Sequence, residues 1–160
     1  MKKAVFLDRD GVINREAGDY TWRMDDFELL DGVVPALKQL RDRGYDLFII
    51  TNQGGVAKGL YTLEDVEKLH LHLREILGKE GILFKEIYYC PHHPDSGNCL
   101  CRKPGSLMIE KALARFRLDA ASSYFIGDRD RDVEAGAGAG VTGILVESNR
   151  PLSEILERVK

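Results

Sequence analysis

Neither sign of charge dominates the 160-residue sequence: 23 Lys and Arg face 26 Asp and Glu, for a formal net charge of −3, with no acidic or basic tail. A module that holds nucleic acid through phosphate attraction carries a basic excess, so nucleic acid is not an expected partner. Long apolar runs are missing as well, and none approaches the roughly 18 residues of a membrane-spanning helix. The apolar run that follows Met1-Lys2-Lys3 stops at Asp8, too soon for a secretory leader. These shortages predict a cytoplasmic protein with no membrane partner; a monomer is expected, although nothing in the sequence reads out the oligomeric state. Repeats and low-complexity linkers are absent too, and 44% hydrophobic content over this length suits one buried core, so residues 1–160 are read as one domain. Cysteine is scarce, with three residues that all lie between Cys90 and Cys101. An odd number gathered in one segment argues against a disulfide framework and for metal ligands.

What is present is a rhythm of short apolar runs and amphipathic stretches, the pattern of βαβ units and a mostly parallel sheet. Residues 4–7, 47–50, 87–89, 124–126 and 143–146 read as strands, and their continuous apolarity suits a sheet covered on both faces. Helices are predicted over 33–43, from the Thr62 cap to Gly78, over 107–116, over 130–139 and over 152–159. The alternating Ala and Gly of 135–140 predict close packing of a helix on the sheet. The one long irregular stretch is 90–105, which also holds the cysteines.

Open parallel sheets bind ligands beyond the carboxyl ends of their strands. Those ends carry Asp8-Arg9-Asp10-Gly11, Thr51-Asn52-Gln53-Gly54 and Gly127-Asp128-Arg129, while Lys103 follows the cysteine stretch. Asp8 is placed to attack as a nucleophile, and the turn at Gly11 frees Asp10 to act as acid and then base. With Asp128 the site holds three carboxylates and would repel a phosphate dianion, a conflict that Mg²⁺ bound to hard oxygen ligands resolves. Thr51 and Lys103 offer a hydroxyl and a point charge to a transferring phosphoryl group.

Asp8-Arg9-Asp10-Gly11-Val12-Ile13, Thr51-Asn52-Gln53, Arg102-Lys103-Pro104 and Gly127-Asp128-Arg129 resemble the four motifs of the haloacid dehalogenase superfamily of phosphohydrolases, in the usual order. Within it the sequence is most similar to the D-glycero-D-manno-heptose-1,7-bisphosphate 7-phosphatases and the sister histidinol-phosphate phosphatases. The resemblance implies a Rossmann-like α/β three-layer sandwich with no separate cap domain. It implies Asp8 as nucleophile, Asp10 as acid/base, Thr51 and Lys103 as phosphoryl stabilisers, and Asp8, the Asp10 carbonyl and Asp128 as Mg²⁺ ligands. Arg9, Asn52, Gln53, Gly54, Arg102 and Arg129 are the candidate substrate contacts. Asp132 reads either as support behind the site or as an exposed helix carboxylate. Segment 14–26, with Tyr20, Trp22 and Arg23, is expected to lie over the site, where Trp22 contacts substrate or packs beneath the segment.

Cys90-Pro91-His92 and Cys99-Leu100-Cys101 form two chelating arms whose three thiolates and one imidazole would fill a tetrahedral Zn²⁺ shell, making the zinc structural. Its task would be to fold the long loop and fix Arg102-Lys103 at the phosphate site. His93 could replace His92 as ligand; the family resemblance favours His92. Two other readings are a receiver-type domain that accepts phosphate on aspartate, and a polynucleotide 3′-phosphatase. The second Asp two residues after Asp8 argues against the first, and the near-neutral charge against the second.

Overall fold

A computed structural model describes all residues from Met1 to Lys160. Five parallel strands form one sheet in the order β3-β2-β1-β4-β5: β1 (Lys3–Leu7), β2 (Tyr45–Asn52), β3 (Phe84–Cys90), β4 (Tyr124–Gly127) and β5 (Thr142–Leu145). Four helices accompany them: α1 (Val33–Asp42), α2 (Leu63–Gly78), α3 (Leu107–Phe116) and α4 (Asp130–Gly138). Every strand and these four helices fall where the apolar pattern predicts. The fifth predicted helix is corrected, since Leu152–Arg158 winds as a 3₁₀ helix. Leu152, Ile155 and Leu156 are nonetheless buried there, so burial of three side chains rather than α-helical bonding anchors that segment.

Both sheet faces are covered, as the continuous apolar runs require. Val5 and Leu7 of β1 and Leu47 and Ile49 of β2 join one core with Leu37 of α1, Leu73 of α2 and Leu156. Ala4 and Phe6, with Phe48 and Ile50, point the other way into a second core with Met108 and Ile109 of α3 and Ala135 of α4. Phe6 contacts Phe48 and Phe125 there, with ring centroids 5.2 and 6.4 Å apart. Gly136 lets α4 approach the sheet, for a Cβ at that position would lie 3.2 Å from the Phe125 Cβ. The capping box of α2 pairs the Thr62 hydroxyl with the Asp65 N–H and the Asp65 carboxylate with the Thr62 N–H.

The chain winds outward through β1, β2 and β3, then returns to the other side of β1 to lay down β4 and β5. That reversal opens a crevice between the carboxyl ends of β1 and β4, the place where such sheets bind ligands. The β1–β4 register pairs Leu7 with Ile126, so Asp8 and Asp128 leave the sheet side by side. No helix is long and apolar enough to cross a membrane.

Candidate active site

At the crevice, Asp8 is 7% exposed and Lys103 1%. The Lys103 ammonium donates to the Asp8 carboxylate at 2.9 Å and the Ile50 carbonyl at 2.8 Å, and forms an ion pair with the Asp132 carboxylate at 2.7 Å. Burial alone would lower its pKa, but the Asp8 and Asp132 charges outweigh burial and hold it above the ordinary lysine value. Asp132 has no exposed surface, which decides its alternatives in favour of support behind the site. Asn52 closes on the Lys103 main chain from both directions: its Nδ2 donates to the Lys103 carbonyl at 3.2 Å, and its Oδ1 accepts from the Lys103 N–H at 3.0 Å.

Asp128 accepts a hydrogen bond from the Ser148 hydroxyl through Oδ2, whereas its buried Oδ1 has no partner. Burial, then the charge of Asp8, push its pKa up to about 6. Oxygens of Asp8, Asp128 and Asp132 lie within 4.8 Å of one another. A buried, unpaired carboxylate oxygen on a member of a three-carboxylate cluster fits a divalent cation with hard oxygen ligands. Gly11, at φ +88°, passes over this carboxylate, and a Cβ there would collide with Asp128.

Asp10 sits at the cavity edge, its side chain 27% exposed. Its Oδ1 accepts from Arg9 Nε at 3.0 Å and Asn14 Nδ2 at 2.9 Å, and its Oδ2 from Arg9 Nη2 at 3.1 Å and Gln53 Nε2 at 3.2 Å. Gln53 also donates to the Thr51 hydroxyl at 3.0 Å and accepts from Tyr61 at 2.7 Å. Burial raises the Tyr61 pKa to about 12, which keeps the phenol a donor.

A cavity of about 300 Å³ opens above these groups. Asp8, Asp10, Thr51, Asn52, Asp128 and Arg129 line it, as do Glu16, Asp19 and Tyr20 of segment 14–26 and Arg131 of α4. Tyr20 is expected there with its segment; Glu16 and Asp19 are not, because an irregular segment shows no period that says which side chains turn inward, nor is Arg131, on the first turn of α4. Two candidate substrate contacts are corrected. Arg9 is wholly buried and Gln53 is 1% exposed, so both support Asp10 from behind. Alternation along an extended chain could have revealed Arg9, because Asp8 and Asp10 face one side and residue 9 the other. Gly54 and Arg102 lie beside the cavity rather than in its lining, with Arg102 donating to the His92 carbonyl at 3.1 Å. Trp22 packs: it stacks on Tyr61 with ring planes 12° apart and lines no part of the cavity.

The chain after β3 brings the Cys90, His92, Cys99 and Cys101 donor atoms within 4.8 Å of one another. Cys90 Sγ lies 3.7 Å from Cys99 Sγ and 2.9 Å from Cys101 Sγ, and His92 Nδ1 lies 3.3 Å from Cys90 and 3.2 Å from Cys101. Bond lengths of roughly 2.0–2.3 Å in a tetrahedral shell put neighbouring ligand atoms about 3.5–3.8 Å apart, so the set fits Zn²⁺ after a small expansion. No disulfide joins these thiols. His93 turns away and accepts from the Asp95 N–H at 3.2 Å.

Carboxylates, an ammonium and a hydroxyl converging at the switch point of this parallel sheet define the haloacid dehalogenase-like class of hydrolases. The family model described as HAD-hydrolase-like matches residues 100–159. The chain is 41% identical over 162 residues to a D-glycero-alpha-D-manno-heptose-1,7-bisphosphate 7-phosphatase of Photorhabdus laumondii, covering 97% of this chain and 88% of that one. It is 42% identical over 151 residues to a D-glycero-beta-D-manno-heptose-1,7-bisphosphate 7-phosphatase of Helicobacter pylori, covering 94% and 86%. The crystal structure of the D,D-heptose 1,7-bisphosphate phosphatase of B. bronchiseptica, complexed with magnesium and phosphate, superposes with a TM-score of 0.85 at 34% identity, over 92% of this chain and 82% of that one. The chain belongs to the haloacid dehalogenase-like phosphatases, in the heptose bisphosphate phosphatase family.

Proposed function

We propose that the chain is a Mg²⁺-dependent phosphomonoester hydrolase that forms an aspartyl phosphate on Asp8 and removes the 7-phosphate of D-glycero-D-manno-heptose 1,7-bisphosphate. The observation that carries this reading is the buried Asp8 carboxylate, braced by Lys103 and facing the unpaired Asp128 oxygen under a 300 Å³ cavity. The names of the relatives support the choice of sugar. The reading extends to a cytoplasmic monomer that works as one unit over residues 1–160.

Asp8, the Asp10 carbonyl and Asp128 would hold the Mg²⁺, which when bound neutralises the carboxylates and the phosphate dianion that would otherwise repel each other. In the first step an Asp8 oxygen bonds to phosphorus as the P–O bond to the sugar breaks, and Asp10 gives its proton to the departing oxygen. In the second, Asp10 takes a proton from water as that water bonds to phosphorus and the Asp8–phosphorus bond breaks. Thr51 and Lys103 stabilise the charge on the transferring group, and little beyond positioning and charge is asked of the protein. Glu16, Asp19, Arg129 and Arg131 face the sugar. Cys90, His92, Cys99 and Cys101 would hold a structural Zn²⁺ that fixes the path of the chain into Lys103.

The relatives bear names of both anomers, so the deciding measurement is Mg²⁺-dependent phosphate release as kcat/KM on each anomer of the bisphosphate and on histidinol phosphate. Higher kcat/KM on one heptose anomer is the expected result. A preference for histidinol phosphate would overturn the choice of substrate while leaving the chemistry in place.

A further inference from the structure

We propose that Arg9 is a positioning residue that aims the Asp10 carboxylate, and that His70 and the Thr21 carbonyl hold Arg9 for that task. The proposal rests on the phosphohydrolase reading above.

Arg9 has no exposed surface, so it touches no substrate, and a buried guanidinium is tolerated only where its donors are matched. They are matched on three sides. Nε and Nη2 fork onto the two Asp10 oxygens at 3.0 and 3.1 Å. Nη2 also donates to the Thr21 carbonyl, in segment 14–26, at 2.7 Å. Nη1 faces His70 Nε2, on α2, at 3.1 Å. Arginine carries donors only, so His70 Nε2 must be the acceptor in this pair, and the ring proton sits on Nδ1. Burial, then Arg9 and Arg74, push the His70 pKa down to about 3, so the imidazole stays a neutral acceptor near neutral pH. His70 is 4% exposed, and its ring is packed edge-on to Tyr89 at 5.5 Å between centroids. The guanidinium plane is therefore fixed from two elements distant in sequence, and a planar fork passes that orientation on to the carboxylate it grips.

Asp10 needs such aim because it serves two partners in turn, the departing sugar oxygen and the attacking water. A displacement of about 1 Å in a reacting group can cost roughly a hundredfold in rate. The two steps can be separated by leaving group. An alkyl phosphate needs a proton on its oxygen in the first step, whereas dinitrophenolate leaves without one. With 2,4-dinitrophenyl phosphate only the second step depends on Asp10.

The test compares Arg9→Met, Arg9→Lys, His70→Leu and His70→Gln with the unsubstituted protein, all with Mg²⁺, on the heptose bisphosphate and on 2,4-dinitrophenyl phosphate. Arg9→Met is expected to lower kcat on the sugar phosphate by about a hundredfold with KM changed less than about threefold. On the aryl ester it should give a fast burst of one equivalent of dinitrophenolate, with phosphoenzyme trapped on quenching, and then slow turnover. Arg9→Lys should recover part of the loss. His70→Leu should show the same pattern at about tenfold, and His70→Gln, which keeps an acceptor, should stay near the unsubstituted rate. Equal losses on both substrates with no burst, or a raised KM at unchanged kcat, would mean that Arg9 only supports the fold, and would overturn the proposal. Equal behaviour of His70→Leu and His70→Gln would remove His70 from it. If Arg9→Met fails to fold on thermal melting, the His70 pair decides. Turnover by Asp8→Asn would instead overturn the aspartyl-phosphate reading beneath the proposal.

Discussion

The carboxylate cluster at the β1 and β4 ends and the thiol cluster after β3 meet at Lys103, yet they are held by different means. Asp8 and Asp128 leave strands whose registers are locked on both sides, and one oxygen of each carboxylate has a defined neighbour before any ligand arrives, Lys103 for Asp8 and Ser148 for Asp128. The thiol loop has little regular structure of its own beyond one 3₁₀ turn at Pro94–Ser96. Its four donor atoms lie within 4.8 Å of one another, and the proposed Zn²⁺ is what would gather it. A site on a sheet can lose a member and keep its shape, whereas a site on a loop loses its shape along with its cross-link.

The sharpest way to probe that contrast is Asp8→Asn, which should reduce phosphate release at least about a thousandfold while the thermal midpoint and far-UV spectrum stay close to those of the parent. An unfolded Asp8→Asn protein would break the comparison. Lys103→Met comes next, because it strands two buried carboxylates. We expect a loss of about 3–5 kcal/mol in urea unfolding, the range for breaking a buried ion pair, together with most of the activity.

On the other side, Cys99→Ser should lower the zinc that elemental analysis is expected to find in the parent, expose residues 93–100 to proteolysis and lower kcat/KM about tenfold through misplacement of Lys103. An intact, protected loop in that variant would show that the thiols are not what organises it. The smallest effect concerns pH. Folding holds His70 near 3 against an ordinary 6.5, so as pH falls below about 6.5 the unfolded chain takes up a proton that the fold refuses. Stability is present above 6.5 and is lost toward pH 3, by about 2 kcal/mol between pH 7 and 5 from this group. His70→Gln should remove that slope, read from urea curves at the two pH values.

Sequence reading located the strand ends and their residue types because apolar runs and polar ends alternate sharply at Leu7-Asp8, Ile50-Thr51 and Gly127-Asp128. It also located the thiol and imidazole set, since all four residues lie within twelve positions. It did not separate residues that face the crevice from those behind it. Arg9 and Gln53 share motifs with Asp10 and Thr51, but their side chains point into the protein, a matter of a single backbone rotation. His70 reads as an ordinary helix residue because its partner, Arg9, is 61 positions away. The last segment carries helical spacing, yet spacing cannot distinguish α from 3₁₀ winding over seven residues.

The Asn52 side chain and the Lys103 backbone form a closed two-bond clasp, which makes the length of chain looped between β3 and Lys103 a free variable. Closing a longer loop costs only about 0.6 kcal/mol for each doubling in length. Since Asp95, Ser96, Gly97 and Asn98 are all exposed, this turn is where a protein engineer could splice in a reporter peptide or an affinity handle without disturbing the clasp.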